Sequence, residues 1–226
     1  FYFEDDGIPI SIDWYMQNTN QFVATYDSLK TVLFDTETKK IITQFSNENS
    51  TIDPNYRVNR ILSHPSQPII ITAHDDRKIR YFDSNSGEKK KMISLSVQQL
   101  FSLGRMIHSM VAHLDTVTSL AIDPQQSCLL SGSKRIFVVV FLNFYNLITK
   151  GHDRSIRLWN FETKNCIQEL TAHQKKDDES IHDVAFHPSK PYMASVGADS
   201  IAKIYGKLDK SNKTETFSFA TKIGRA

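Results

Sequence analysis

The sequence predicts an all-β fold: an incomplete β-propeller of about four blades, each an antiparallel four-stranded sheet. Three observations predict it. An aromatic residue closes a short alternating run four times, at Phe34, Phe82, Trp159 and Tyr205. In two of these runs a small hydroxyl residue precedes an aspartate by four, and that aspartate precedes the aromatic by six: Thr72, Asp76, Phe82 and Ser195, Asp199, Tyr205. The interval from Phe34 to Phe82 is 48 residues and from Trp159 to Tyr205 is 46. Both approach the ~40–45 residues that four short strands occupy in a propeller blade.

Taken in order, the blades fall at roughly 8–47, 59–110, 111–170 and 171–206. The first is degenerate, with Ala24 in the hydroxyl place and Ser28 in the aspartate place. The third keeps Asp153 six residues before Trp159, but its Ser131 lies 22 before Asp153. Setting aside Lys134 to Gly151, eighteen residues, restores the spacing of four. The Ala112-His113 and Ala172-His173 pairs, 60 apart, then stand 42 apart. Phe82 to Trp159 spans 77 residues, and the remaining excess falls near Lys89 to Arg105. The sequence is thus read as carrying insertions at about 89–105 and 134–151. The first is expected between strands of adjacent blades, where long loops are tolerated. The second splits the tight turn that carries Asp153. Both read as translated non-coding sequence, the rival being a lineage-specific loop with Ile136 to Ile148 as an extra hairpin. Residues 207–226 are expected to be an atypical, disordered tail.

Composition narrows the function classes. Hydrophobic residues make up 40% and charged residues 23%, enough to bury a core. Lys+Arg is 27 against Asp+Glu at 25, a net of +2, so bulk charge argues against nucleic acid as a partner. Cys128 and Cys166 form no zinc-binding CxxC and read as reduced thiols. The longest apolar stretch, Ile136 to Ile148, is thirteen residues with two Asn, short of the ~20 a spanning helix needs. The chain starts at Phe1 without a signal-peptide pattern and is read as a fragment of a longer protein, cytoplasmic and held near membranes only through partners.

These residues resemble the WD-repeat family, and more closely the C-terminal propeller of striatins. The resemblance is carried by His64-Pro65, Ile71-Thr-Ala-His-Asp-Asp76-Arg77, Ile107-His-Ser-Met-Val-Ala-His-Leu-Asp115 and Val117-Thr-Ser-Leu-Ala121. It continues through Ser155-Ile-Arg-Leu-Trp-Asn160, Thr171-Ala-His-Gln-Lys-Lys176 and Glu179-Ser-Ile-His-Asp-Val-Ala-Phe-His-Pro188. It covers roughly residues 8 to 206 apart from the insertions, and is weak before Asn59. It implies a scaffold or regulatory subunit that brings protein phosphatase 2A together with kinases and Mob-type partners. In that family the coiled-coil, caveolin-binding and calmodulin-binding segments lie N-terminal to the propeller. Calmodulin is therefore expected to bind only through a region outside this chain. A WD-repeat subunit of another complex, such as a ubiquitin-ligase receptor or an RNA-processing assembly, is the alternative.

The family pattern assigns a hydrogen-bonded tetrad to His113, Ser131, Asp153 and Trp159. The chemistry is coherent: a buried indole N–H needs an acceptor, serine relays, and aspartate holds the imidazole while ordering a turn. His173, Ser195, Asp199 and Tyr205 form the next set, where a phenol replaces the indole. In the second blade Phe82 supplies no donor. A serine, histidine and aspartate together also invite a propeller-hydrolase reading, but the trio recurs with each blade and lacks a strained GxSxG elbow. No catalytic residue, cofactor site or metal site is expected. His74-Asp75-Asp76, His152-Asp153 and His182-Asp183 show neither HExxH nor Cys/His zinc spacing. The candidate partner rim is Asp75, Arg77, Leu114, Asp115, Lys175, Lys176 and Asp178, all on loops or turns. Four blades without closure leave open faces and edges, so a poorly soluble or oligomeric chain is expected.

Overall fold

The computed structural model describes residues 7–28, 30–45, 56–85, 89–93, 98–123, 128–133, 155–171, 173, 180–208 and 216–223. These residues form strands joined by turns and no helix, so the fold is all-β, built from the antiparallel sheets of a propeller. The chain divides into two units, residues 1–110 and 111–226.

The first unit begins with β1 (Pro9–Trp14), β2 (Gln21–Tyr26), β3 (Thr31–Asp35) and β4 (Lys40–Phe45), an antiparallel meander. It continues with β5 (Val58–Ser63), β6 (Ile69–His74), β7 (Lys78–Asp83), β8 (Lys89–Ile93) and the long β9 (Gln98–Val111). Strand order is β1-β2-β3-β4-β9-β7-β6-β5, with β8 also paired to β9. Residues 89–105, read from sequence as an insertion, supply β8 and the first part of β9, the strand that pairs with β7. There β8 pairs antiparallel with β9, and β9 runs parallel to β4 with Phe45 opposite Gly104. The open edge of β4 presents unpaired N–H and C=O groups, and an extended segment satisfies them. Gly104 suits this approach, because a Cβ there would collide with the Phe45 ring.

The second unit holds two four-stranded sheets. The first is β10 (Val117–Ile122), β11 (Cys128–Ser133), β12 (Ser155–Asn160) and β13 (Cys166–Thr171). The second is β14 (Ile181–Phe186), β15 (Tyr192–Gly197), β16 (Ile201–Leu208) and β17 (Thr216–Ile223). The disordered tail expected over 207–226 is corrected here, since β16 extends to Leu208 and β17 completes the sheet. A three-stranded blade would leave β16 as a bare edge, and Thr216–Ile223 pairs along it. Residues 134–154, which hold the second insertion, lie outside the described residues.

Backbone irregularities repeat from blade to blade. The first strand bulges two residues in, at Pro9/Ser11, Val58/Arg60, Val117/Ser119 and Ile181/Asp183. The fourth strand bulges opposite the third-strand aromatic, where one extra residue falls between the partners of Leu33 and Phe34, of Leu158 and Trp159, and of Ile204 and Tyr205. The polar residue after the aromatic closes the next turn. Asp35 accepts the Glu37 and Thr38 amides at 2.9 Å, and Asn160 accepts those of Glu162 and Thr163 at 3.0 and 2.7 Å.

Both faces of a blade are meant to be covered, so the core lies between blades. In the first unit Tyr15, Val23, Leu33 and Phe45 pack against Ile61, Ile70 and Phe82. In the second, Leu130, Ile156 and Leu158 pack against Ile181, Val184, Met193 and Tyr205. Polar pins cross the same seams. The Ser63 amide donates to Asp13 Oδ2 at 2.8 Å, and Thr118 Oγ1 donates to the Ile181 carbonyl at 2.6 Å. Gly132 sets the approach distance, because a Cβ there would lie 2.7 Å from both Ile181 Cγ2 and Ser119 Oγ. Gly132→Val is expected to destabilise the second unit by ~1–3 kcal/mol through overpacking, read as a lower urea midpoint.

Candidate functional site

The polar residues that the sequence singles out sit where the second and third strands of a blade meet the loop that enters it. In the third blade, Trp159 Nε1 donates to Ser131 Oγ at 2.9 Å, and Ser131 Oγ lies 2.6 Å from His113 Nε2. His113 Nδ1 is 3.5 Å from Ser155 Oγ. One serine oxygen thus joins a loop imidazole to a third-strand indole, all of them buried. Arg157, on the same strand as Trp159, donates to the Ala112 carbonyl at 2.5 Å and pairs with Glu169 at 3.2 Å. Asp153 lies outside the described residues.

The fourth blade carries the fuller set. His173 Nδ1 is 2.7 Å from Asp199 Oδ1, and its Nε2 is 2.7 Å from Ser195 Oγ. Ser195 Oγ is 3.5 Å from the Tyr205 hydroxyl, a much weaker link than the indole makes in the third blade. Gly197 gives the imidazole its space, since a Cβ there would lie 2.6 Å from His173 Cγ. Asp199 Oδ1 also accepts the Ile201 amide at 3.2 Å, and Ser200 takes φ 60° in the turn. Burial pushes the His173 pKa down, while its hydrogen bond to Asp199 opposes that shift.

The second blade solves the same problem with different residues. His74 stands in the strand position that Gly197 holds in the fourth, and its Nε2 lies 2.7 Å from Thr72 Oγ1. Arg80 forks onto Asp76, one nitrogen at 3.0 Å, both side chains being buried. Burial, then the Arg80 charge, drives the His74 pKa down to about 3. Burial works to raise the Asp76 pKa, but the Arg80 bonds and charge bring it below the usual carboxylate range. Sequence spacing finds Thr72 and Asp76 but misses His74 and Arg80 as their partners. The only signal is that a histidine and an arginine stand at positions a strand would bury. In the first blade the buried polar pair is two threonines, Thr31 Oγ1 donating to Thr25 Oγ1 at 3.2 Å, beside an apolar cluster of Ala24, Tyr26, Val32 and Phe34 in which Phe22 stacks on Phe34 at 5.3 Å.

Ser195, His173 and Asp199 have the connectivity of a nucleophile, a base and an orienting acid. They are nevertheless 1%, 0% and 9% exposed, and the serine hydroxyl faces a tyrosine rather than a cleft. Asp13 and Asp183 lie within β1 and β14 and Asp123 just after β10, each tied into main-chain hydrogen bonding. Asp13 accepts the Ser63 amide, Asp183 Oδ1 accepts the Val184 amide at 3.0 Å, and the Asp123 amide donates to the Cys128 carbonyl at 2.9 Å.

The candidate rim residues occupy turns and loops. Asp75 accepts from Asn59 Nδ2 at 2.7 Å, and Arg77 is exposed with φ 69°. Leu114 is 60% exposed, and Asp115 beside it accepts the Thr116 amide at 2.7 Å. Lys175, Lys176 and Asp178 lie outside the described residues.

The WD domain, G-beta repeat family matches residues 104–160 and 164–206, the stretches in which serine, histidine and an aromatic donor coincide. Striatin of Homo sapiens is 46% identical over 200 residues, 88% of this chain and 21% of its own length. Striatin-3 of Bos taurus is 43% identical over 203 residues, 89% of this chain and 21% of its length. Striatin-4 of Mus musculus is 40% identical over 201 residues, 89% of this chain and 22% of its length. This is a striatin-family WD-repeat region. The chain spans about a fifth of the length of those striatins. As a WD-repeat region it is an interaction module, and its buried sets join strands within a blade to the loop that enters it.

Two consequences can be measured. Ser131→Ala strands the Trp159 N–H and the His113 imidazole, and is expected to cost ~1–3 kcal/mol in urea unfolding. Tyr205→Phe, which removes a 3.5 Å contact, is expected to cost less than half as much. His74 also sets a pH dependence. Above its usual pKa of 6.5 it is neutral folded and unfolded alike. Below that, the unfolded chain gains a proton that buried His74 refuses until the pH nears about 3, so stability falls across the window. His74→Gln is expected to flatten this part of the urea-midpoint profile.

Proposed function

We propose that this chain is a non-catalytic protein-binding module of a striatin-type scaffold, one that brings protein phosphatase 2A together with kinases and Mob-type partners. One observation supports the reading above others. The hydroxyl, imidazole and carboxylate groups suited to chemistry are spent on buried links between strands, whereas Leu114 and Arg77 stand exposed on loops. Solvent-facing loops on a rigid β framework are where such modules hold peptides and domains. The near-balanced net charge of +2 favours a protein partner over nucleic acid.

The module works without a cofactor, in the cytoplasm, and reaches membranes through its partners. Among the described residues no helix is long and apolar enough to cross a membrane. Calmodulin contacts other parts of a striatin-type protein.

The test immobilises the full chain and measures binding of purified phosphatase 2A and Mob-type proteins. Leu114→Asp and Arg77→Glu are expected to weaken capture tenfold or more while leaving the urea midpoint unchanged. Capture that ignores both substitutions overturns the rim assignment. Ester hydrolysis lost on Ser195→Ala overturns the non-catalytic assignment.

A further inference from the structure

The turn between β6 and β7 carries cations that the fold does not use. Arg57 and Arg77 are exposed, Lys78 is half-buried, and Tyr56 beside Arg57 is 42% exposed. The Asp75 amide donates to the Arg57 carbonyl at 3.0 Å, which sets Arg57 directly beside the turn Asp75-Asp76-Arg77. Both carboxylates of that turn are already committed. Asp75 accepts from Asn59 Nδ2 at 2.7 Å, and Asp76 is forked by buried Arg80. Among the described residues neither Arg57 nor Arg77 takes part in an ion pair. Arg80 matches the charge of Asp76, so three cations stand against the single carboxylate of Asp75.

The other blades show that the turn does not need these cations. The same backbone bond recurs, from the Ala198 amide to the Ser180 carbonyl at 2.9 Å and from the Asp27 amide to the Ile8 carbonyl at 2.9 Å. Serine and isoleucine thus hold the place of Arg57. Ser200, with φ 60°, holds the place of Arg77, with φ 69°. Ile201 holds the place of Lys78, its amide donating to Asp199 at 3.2 Å as the Lys78 amide donates to Asp76 at 3.3 Å. A left-handed φ suits glycine or asparagine better than arginine, so backbone geometry does not select Arg77 either. The second blade has a blade before it and a blade after it in this chain, so the turn is no surface bared by a chain end.

Two guanidinium groups on adjoining backbone segments suit carboxylates. Each offers a planar fork that a carboxylate can accept bidentately, and each gives up water more readily than an ammonium does. Tyr56 adds the amphipathic aromatic surface common at protein interfaces. We infer that Tyr56, Arg57 and Arg77 form a basic anchor that binds an acidic, carboxylate-bearing segment of a partner protein, with Lys78 adding to the field. Nucleic acid needs a longer basic track than one turn supplies. The inference rests on the rim reading of Arg77 and deepens it by giving the partner its chemistry. Because the arginines are exposed, binding is expected to weaken as salt rises.

The experiment uses the full chain and a fluorescein-labelled peptide, Gly-Asp-Glu-Leu-Asp-Glu-Gly, followed by fluorescence anisotropy. Wild type is expected to bind it and to ignore the same peptide with Asn and Gln in place of its acids. Arg57→Glu and Arg77→Glu are each expected to weaken binding about tenfold, and Arg57→Lys and Arg77→Lys by less, with urea midpoints unchanged. Arg105→Glu, at an exposed arginine outside the turn, is expected to change binding little. Equal binding of the amide peptide overturns the inference. So does an equal loss on Arg105→Glu, which would mean attraction by net charge alone. Displacement of the peptide by a single-stranded oligonucleotide at equal concentration overturns it in favour of nucleic acid. Failure of the acidic peptide to bind, while capture of phosphatase 2A or Mob-type proteins still falls on Arg77→Glu, overturns the anchor and leaves the rim standing. Peptide binding that depends on both arginines, while capture ignores them, supports the anchor and overturns the named partners.

Discussion

A hydroxyl oxygen buried between strands is the constraint on which the rest of this structure depends. Ser131, Ser195 and Thr72 each sit on the second strand of a blade, where water cannot reach them. A polar group left unpaired there costs about 1–3 kcal/mol. Each hydroxyl therefore has to find a histidine, and the histidine in turn fixes the backbone that carries it. For Ser131 and Ser195 that backbone is the loop entering the blade; for Thr72 it is the end of the same strand, at His74.

The three solutions differ in how they handle charge. The third blade joins its imidazole through serine to an indole, and in the fourth a carboxylate holds the imidazole. The second moves the histidine into the strand and pairs its aspartate with a buried arginine. Burial, aided by the Arg80 charge, disfavours a protonated His74, which ties the blade's stability to pH. In the first blade two buried threonines pair with each other, Thr31 with Thr25, and apolar packing of Ala24, Tyr26, Val32 and Phe34 does the rest.

Glycines do comparable work at the seams. Gly197 admits the imidazole of its own blade, and Gly132 admits the isoleucine of the next. Without a Cβ the backbone can be approached to a distance no other residue allows.

The sequence by itself determined the all-β fold class and the resemblance to a WD-repeat region, because alternation and a recurring aromatic are written along the chain. The grouping of His113, Ser131 and Trp159 and of His173, Ser195 and Asp199 came from the family pattern and not from chain distance, since Ser131 and Trp159 stand 28 residues apart. Tertiary structure alone decided the partners of Thr72 and Asp76, the parallel pairing of β9 with β4, and the pairing of Thr216–Ile223 with β16. Each of these joins residues whose meeting depends on which edge lay open and which face stayed dry. Periodicity records that a residue is buried; it does not record what it is buried against.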